Sequence, residues 1–586
     1  MLAVPDQLRR FRFRLPGTLR SLAAVLSAVL LAAAFPPAGE AHLAWIAFVP
    51  LLCLARFSPP RSAFAWGWLS GFLFWLCSLV WLLRLCGTGG SPPLVVLGWL
   101  ALAAYCALYT GAFAMAAAGM WRRARGARIP ADSPARVPAA ADAGREPPQA
   151  QPPQTGLTVF AGIGSLLVLP FLWVGFEYLR STLFTGLSWN ALGVSQYRNL
   201  ALVQSAEWGG VYAVSAVVMA MNAAVALTVF RFVDDFRTRR ASRVHVELWI
   251  GLIVCAAALL KGAQTCRRLD AEEAAGRIAK ITAVQPAIPQ AQKWTTEFEN
   301  EIYAGLEDLT LRAAAGRPNL VVWPETAVPY CVRLDTNTWQ FVARLAAQGA
   351  PLLVGSMDVD AHAGRERYLN SSFLIAPDGR LAGVYRKRHL VPFGEYVPLG
   401  RLLPWLERFA PLGFSCAPGT TSTVFRVEGG ADDEPRYALP FAALICFEDT
   451  IASLAREAVL NGARLLINQT NDAWFEGSSA AVQHLSHCVF RCVENRVPAV
   501  RCANLGVTCF IDRLGRIDKT TADLLRQGEA EGTQFLAGAA RVPADDMPPT
   551  FYTRHGDLPF ALPCGAAAAL SVVAVALGER RRRRQP

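Results

Sequence analysis

Charge is scarce in this sequence. Asp, Glu, Lys and Arg make up 17% of its 586 residues, while hydrophobic residues make up 53%. That balance is too apolar for a wholly water-soluble protein. No internal repeat stands out, which excludes a repeat array. No nucleic-acid-binding motif accompanies the net charge of +12, so nucleic acid is not the expected partner. The stretch "HLSHCVFRC" holds His484, His487, Cys488 and Cys492, but not in a two-plus-two zinc spacing. No metal is expected there, and the four read as one packed helix face. No clean small-x-small cleavage site precedes a polar start, so the first apolar segment reads as an uncleaved span.

The apolar excess is uneven. A membrane-crossing helix needs about 20 apolar residues. Candidates lie at Leu19–Phe35, His42–Phe57, Ser62–Leu85, Pro93–Trp121, Leu157–Leu179, Trp208–Phe230 and Val246–Leu260, with an eighth at Pro559–Gly578. Arginines gather before the first span, after the second, fourth and sixth, and in the tail Arg580–Arg584, while the alternate loops hold few. If all eight spans are real, every arginine-rich segment falls on one side, which the positive-inside rule makes the cytoplasm. The expected organisation is a membrane domain over 1–262, a water-soluble domain over 271–541 outside the cytoplasm, a last span over 559–578 and a basic cytoplasmic tail over 579–586. The net charge is then mostly topology. Residues 122–156, rich in Pro and Ala, read as a flexible cytoplasmic linker. Trp66, Trp68 and Trp121 read as interfacial anchors.

The middle of the chain has an α/β rhythm. "GRIAKITAVQP", "PNLVVWPE", "APLLVGSM", "RYALPFAALICFED" and "RLLINQTND" have strand length and composition, and "NSSFLIAPDGRLAGVYRKRHL" carries an Asp-Gly turn at Asp378-Gly379. Helical patterns separate them, which implies a layered α/β domain. Three reactive side chains stand at strand ends: Glu325, Lys387 and Cys446. Reactive groups of α/β sheets gather beyond strand ends. A carboxylate there takes a thiol proton, and an ammonium steadies both the thiolate and the oxyanion formed when it attacks a carbonyl. Spacing alone does not single them out, because any large domain holds a Glu, a Lys and a Cys.

The runs "VVWPETAVP", "YRKRHLVPFGEYVP", "ICFED" and "NQTNDAWF" resemble the nitrilase, or carbon–nitrogen hydrolase, superfamily. With seven spans before that domain and one after, nearly the whole chain resembles the apolipoprotein N-acyltransferase family. The resemblance implies an αββα sandwich on an eight-span helical bundle. It makes Glu325 the general base, Lys387 the oxyanion-stabilising lysine and Cys446 the nucleophile. Glu395 and Glu448 match supporting active-site acids, and Trp294 a tryptophan near the lipid-entry side. Two positions depart from the family pattern: Phe447 stands where Tyr commonly follows the nucleophile, and Ala287 where Asn is common. Both bear on substrate contacts, not on the triad. Glu177 and Arg180, at helical spacing near the outer end of the fifth span, read as a structural ion pair or as contacts to a lipid headgroup.

The resemblance further implies an acyl donor that is a phospholipid and an acceptor that is the α-amine of a diacylglyceryl-cysteine apolipoprotein. It implies a thioester on Cys446, no cofactor, and a monomer in the bacterial inner membrane with its catalytic domain on the periplasmic side. Apolar loops around "LLPWLERFAPLGF" fit a lipid-dipping lid. Two other classes fit parts of the sequence. A membrane-tethered amidase would use the same triad on a small amide. A transporter would place charges or broken helices in mid-membrane, and these spans carry few.

Overall fold

The computed structural model describes residues 16–126, 159–238, 245–273, 276–362, 365–398, 415–430, 435–521 and 534–584. Most of the expected linker and the apolar stretch Leu402–Phe414 lie outside the described residues. Residues 122–126 of that linker still belong to the helix Pro92–Gly126.

Each expected span coincides with an apolar helix. Five are long and apolar enough to cross a membrane: Pro92–Arg123, Ala161–Thr185, Ala206–Phe236, Val246–Glu272 and Ala561–Arg580. Pro60–Ser78 and Val80–Gly87 pass together, as a pair bent by 43°. Gly17–Ala33 and Ala41–Phe57 are shorter. A helix of 17 residues rises only about 26 Å, short of a hydrocarbon core of about 30 Å. The described structure therefore supports five crossing helices, or six with the bent pair, rather than eight established spans. Leu22, Leu97, Ile253, Leu260 and Leu570 are exposed on these helices, as side chains facing lipid are. Inside, small residues allow close approach. A Cβ at Gly67 would sit 2.7 Å from that of Ala114 on the neighbouring helix, the contact that membrane helices use in place of a hydrophobic driving force. Trp121 is not an interfacial anchor. It is buried, and its indole N–H donates to Ser165 Oγ at 3.0 Å.

The described residues of the remainder form twelve strands: β1 (Arg277–Gln285), β2 (Leu320–Val322), β3 (Leu352–His362), β4 (Arg365–Ile375), β5 (Leu381–Arg386), β6 (Phe425–Gly429), β7 (Tyr437–Ile445), β8 (Leu465–Thr470), β9 (Ala499–Ala503), β10 (Cys509–Ile511), β11 (Ile517–Thr520) and β12 (Gln534–Val542). They form two six-stranded sheets, ordered β12-β1-β2-β3-β4-β5 and β11-β10-β9-β8-β7-β6. Strand alternation explains the layers. In β7, Phe441, Ala443 and Ile445 face Ile281, Leu320 and Val322 of the other sheet, while Ala442 and Leu444 face outward. The outer face of the first sheet is covered by helices Glu299–Ala315 and Thr336–Ala346, through Leu306, Leu309, Val342 and Leu345. Helices Ala452–Leu460 and Ala480–Asn495 cover the second. The order helix, sheet, sheet, helix is the expected αββα sandwich. Strands β6, β11 and β12 were not anticipated from sequence.

The fourth layer also joins the membrane helices. One apolar cluster runs from Ala442, Leu466 and Val489 to Phe113, Trp173 and Val218. Gln483 ties three membrane-side elements: Trp81 and Trp189 donate to its Oε1 at 3.1 and 2.8 Å, and its Nε2 donates to the Pro36 carbonyl at 2.8 Å. Arg496 meets Glu207 at 2.6 Å.

Candidate active site

Glu325, Lys387 and Cys446 each follow directly on a strand or lie within three residues of one, β2, β5 and β7 in turn. The segment carrying Glu325 folds tightly against β3. A Cβ at Gly355 would come 2.2 Å from the Pro324 carbonyl and 2.8 Å from Glu325 Cα, so only glycine admits this approach. Thr326, next in the chain, has φ 45°. Cys446 itself has φ 52°. A non-glycine residue in the left-handed region is uncommon and costs roughly 1–3 kcal/mol. Here that conformation turns the chain out of β7 at the thiol.

The carboxylates and the lysine form one buried network. Lys387 Nζ donates to Glu395 Oε1 at 2.9 Å and Glu325 Oε1 at 3.4 Å. Asn370 Nδ2 bridges the same two oxygens, at 2.8 Å from Glu325 and 3.0 Å from Glu395. The Val391 amide donates to the other Glu395 oxygen at 2.9 Å. Burial opposes a charge on Lys387, but the Glu395 and Glu325 carboxylates outweigh it and hold the ammonium well above its ordinary pKa. Burial pushes the Cys446 thiol up, the Glu325 carboxylate adds to that, and Lys387 pulls it down. The balance favours the neutral thiol, so a base is needed to make the nucleophile. Both the Glu325 carboxylate and the Lys387 ammonium act electrostatically on the thiol.

Glu448 is fully buried. It accepts from the amides of Ile445 at 2.8 Å, Arg388 at 2.7 Å and His389 at 3.1 Å, and from the Tyr385 hydroxyl at 2.9 Å. It clamps the segment after Lys387 to the turn that carries Cys446. Phe447 lies half-buried between Trp189, stacked at 6.2 Å, and His389, stacked at 6.0 Å. Trp294 is exposed beside the site. Glu177 and Arg180 are both buried. Glu177 accepts from the Leu192 amide at 2.6 Å, and Arg180 donates to the carbonyls of Leu187 and Trp189 at 2.8 and 2.7 Å. They hold the loop that presents Trp189 to Phe447. Ala287 has φ 53°, and its amide donates to the Asn504 carbonyl at 3.1 Å.

Several site residues escaped the sequence reading. Asn370 gave no signal in "YLNSS". Lys293 is fully buried, and its Nζ donates to the Glu325 carbonyl at 3.0 Å. Beneath Cys446 lies a charged cluster. Arg501 reaches Asp449 at 2.9 Å and Asp472 at 2.7 Å, and His484 lies 2.8 Å from Asp449 and 3.1 Å from Asp472. Burial and Arg501 disfavour the His484 cation, but the two aspartates outweigh them and raise it to about 9. His484 Nε2 also lies 3.2 Å from the Cys446 carbonyl, which Asn468 reaches at 3.0 Å. One signal was present: an arginine within the apolar strand "AVRCA". Cys331 and Cys416 are both free thiols. Among the described residues, no group of His, Cys, Asp and Glu is arranged to hold a metal.

Two family models match the chain. One is described as the apolipoprotein N-acyltransferase N-terminal domain, over residues 27–224, and the other as carbon-nitrogen hydrolase, over residues 280–535. An apolipoprotein N-acyltransferase of Geobacter metallireducens is 36% identical over 565 residues, covering 96% of this chain and 95% of that protein. Proteins of the same name from Chlorobaculum tepidum and Allorhizobium ampelinum are each 30% identical, covering 94% and 86% of this chain and 95% and 88% of theirs. With a nitrilase-like domain set on membrane helices and relatives matched almost end to end, this chain belongs to the apolipoprotein N-acyltransferase family.

Proposed function

We propose that this membrane enzyme acylates the N-terminal α-amine of diacylglyceryl-cysteine in apolipoproteins, with a phospholipid as acyl donor and Cys446 as the carrier. The observation that carries the reading is the meeting, at the strand ends of two sheets, of a strained, half-buried thiol with a carboxylate and a charged lysine. Phe447, beside the thiol, stacks on Trp189 from a loop between membrane-side helices.

Glu325 takes the proton from Cys446 Sγ. The thiolate attacks the ester carbonyl carbon of the phospholipid, and Lys387 stabilises the tetrahedral oxyanion. As that intermediate collapses, the C–O bond breaks. The lysophospholipid oxygen recovers the proton from Glu325, and an acyl thioester remains. The acceptor amine then attacks the thioester carbonyl and gives its proton to Glu325. The amide forms, and the departing thiolate takes the proton back. Glu395 and Asn370 keep Lys387 and Glu325 in register through both halves. Phe447, with Trp189 and His389, forms an aromatic wall, and Trp294 stands exposed where lipid would enter. Glu177 and Arg180 act by holding Trp189 rather than by meeting a headgroup. The eight apolar helices form eight spans, counting the short and bent ones, and the sandwich lies on the periplasmic side of the inner membrane. Both substrates carry long acyl chains, worth about 0.8 kcal/mol per buried CH₂, so a cleft at the bilayer surface suits them.

Intact-protein mass spectrometry after incubation with phospholipid alone tests this. The expected result is a gain of one fatty acyl chain on Cys446, labile to hydroxylamine and discharged by a lipoprotein N-terminal peptide. Steady release of free fatty acid with no adduct would mean a hydrolase, and an adduct on another cysteine would overturn the mechanism.

A further inference from the structure

Lys293 lies outside the triad, yet its setting is unusual. It is only 1% exposed, in a turn just before the short helix Thr296–Phe298. Long ammonium side chains are almost never fully buried unless paired. Its single hydrogen bond goes to a backbone carbonyl, that of Glu325, at 3.0 Å. A neutral donor would serve that contact equally well. The charge itself has another counterpart, since Lys293 interacts with the Glu325 carboxylate and with Cys446.

The balance of charges gives it a task. Glu325 and Glu395 place two buried carboxylates in one network, and Lys387 supplies a single positive charge against both. With Lys387 alone, the thiol would have to ionise beside an uncompensated negative charge. With Lys293 added, two cations face two anions. When the S–H bond of Cys446 breaks and an O–H bond forms on Glu325, the negative charge moves from oxygen to sulfur, and the total stays balanced. We propose that Lys293 is a positioning residue whose ammonium holds the Glu325 segment and compensates the charge that moves onto Cys446 during proton transfer. This rests on the assignment of Glu325 and Cys446 made above. Burial lowers Lys293 to about 8, against the pull of the Glu325 carboxylate, so it carries its proton at neutral pH.

The test reads thiolate formation without lipid. Full-length protein in detergent is treated with iodoacetamide across a range of pH, and the Cys446 peptide is followed by mass spectrometry. K293Q keeps a donor for the Glu325 carbonyl and loses the charge, while K293R keeps the charge. If the ammonium acts as proposed, K293Q alkylates Cys446 at least tenfold more slowly at pH 7.5 (about 1.4 kcal/mol) and needs a higher pH to reach the wild-type rate. K293R stays within a few-fold of wild type. K293Q alkylated at the wild-type rate, or K293R as slow as K293Q with both melting like wild type, would overturn the proposal. A parallel incubation of the wild type with phospholipid separates the two readings. A missing acyl adduct there strikes the thioester mechanism, whereas an unaltered K293Q thiol strikes only the role of Lys293.

Discussion

Lys387 and Glu325 depend on each other. A buried ammonium without a partner is costly, and the Glu395 and Glu325 carboxylates keep Lys387 in its charged form. Glu325→Gln removes the proposed base while keeping the shape, and Lys387→Ala removes the proposed oxyanion donor. Each should lower turnover in lipid by roughly 10²–10³-fold with the protein still folded, as an acyl-transfer assay beside a melting curve will show. Near-normal activity in either variant means that residue has been misassigned. His484 acts under the nucleophile. Its folded pKa of about 9 lies above its ordinary value of 6.5, so its cation stabilises the fold. That contribution is complete below about pH 6.5 and fades as pH rises through 9. The gap in melting temperature between wild type and His484→Gln should therefore be widest in mild acid and close at alkaline pH. A gap that widens as pH rises would refute the charged assignment.

At the scale of the element, the site depends on where segments end. Strand β7 stops at Cys446 with a left-handed residue, and the segment after β5 carries Lys387 past it. Glu448 joins the two by accepting from three amides and a tyrosine hydroxyl. A carboxylate with this many donors behaves as a clamp, since each buried donor left unpaired costs about 1–3 kcal/mol. Glu448→Ala should lower stability by several kcal/mol in sum and reduce acylation of Cys446, although Glu448 does not touch the thiol. Denaturant unfolding in detergent together with the acyl-enzyme assay measures both. Unchanged stability would show that the clamp is not needed.

The whole molecule couples a sandwich to a membrane. The helix Ala480–Asn495 is at once the outer layer of the second sheet and the seat of Gln483 and Glu494, which reach membrane-side elements. A catalytic turn backed by that layer is held at the bilayer surface rather than tethered near it. The proposed topology, which follows from the arginine asymmetry, has the sandwich outside the cytoplasm. A cysteine at exposed position 297, Glu297→Cys, should react with a membrane-impermeant maleimide on intact spheroplasts. Labelling only after lysis would invert the topology.

By itself the sequence determined what local chemistry can specify. Apolar runs mark the long membrane-side helices, and the unbroken apolar run "FAALI" marks a strand buried on both faces. The motif runs around Glu325, Lys387, Glu395 and Cys446 mark the groups that folding brings together and to which we assign the chemistry. Tertiary structure alone decided what depends on distant partners. Strand β12 pairs with β1 across more than half of the catalytic domain's length, a register no short window contains. Glu448 reads in sequence as a supporting acid just after the thiol, and its clamp of donors is visible only in the fold, because all but the Ile445 amide come from β5 and the segment after it. Trp121 looks like an anchor and is buried, because its face is chosen by neighbouring helices. Lys293, Asn370 and the Arg501 cluster gain their meaning only from what folding sets beside them: the energy of a buried charge depends on its neighbours in space, and those neighbours are remote in the chain.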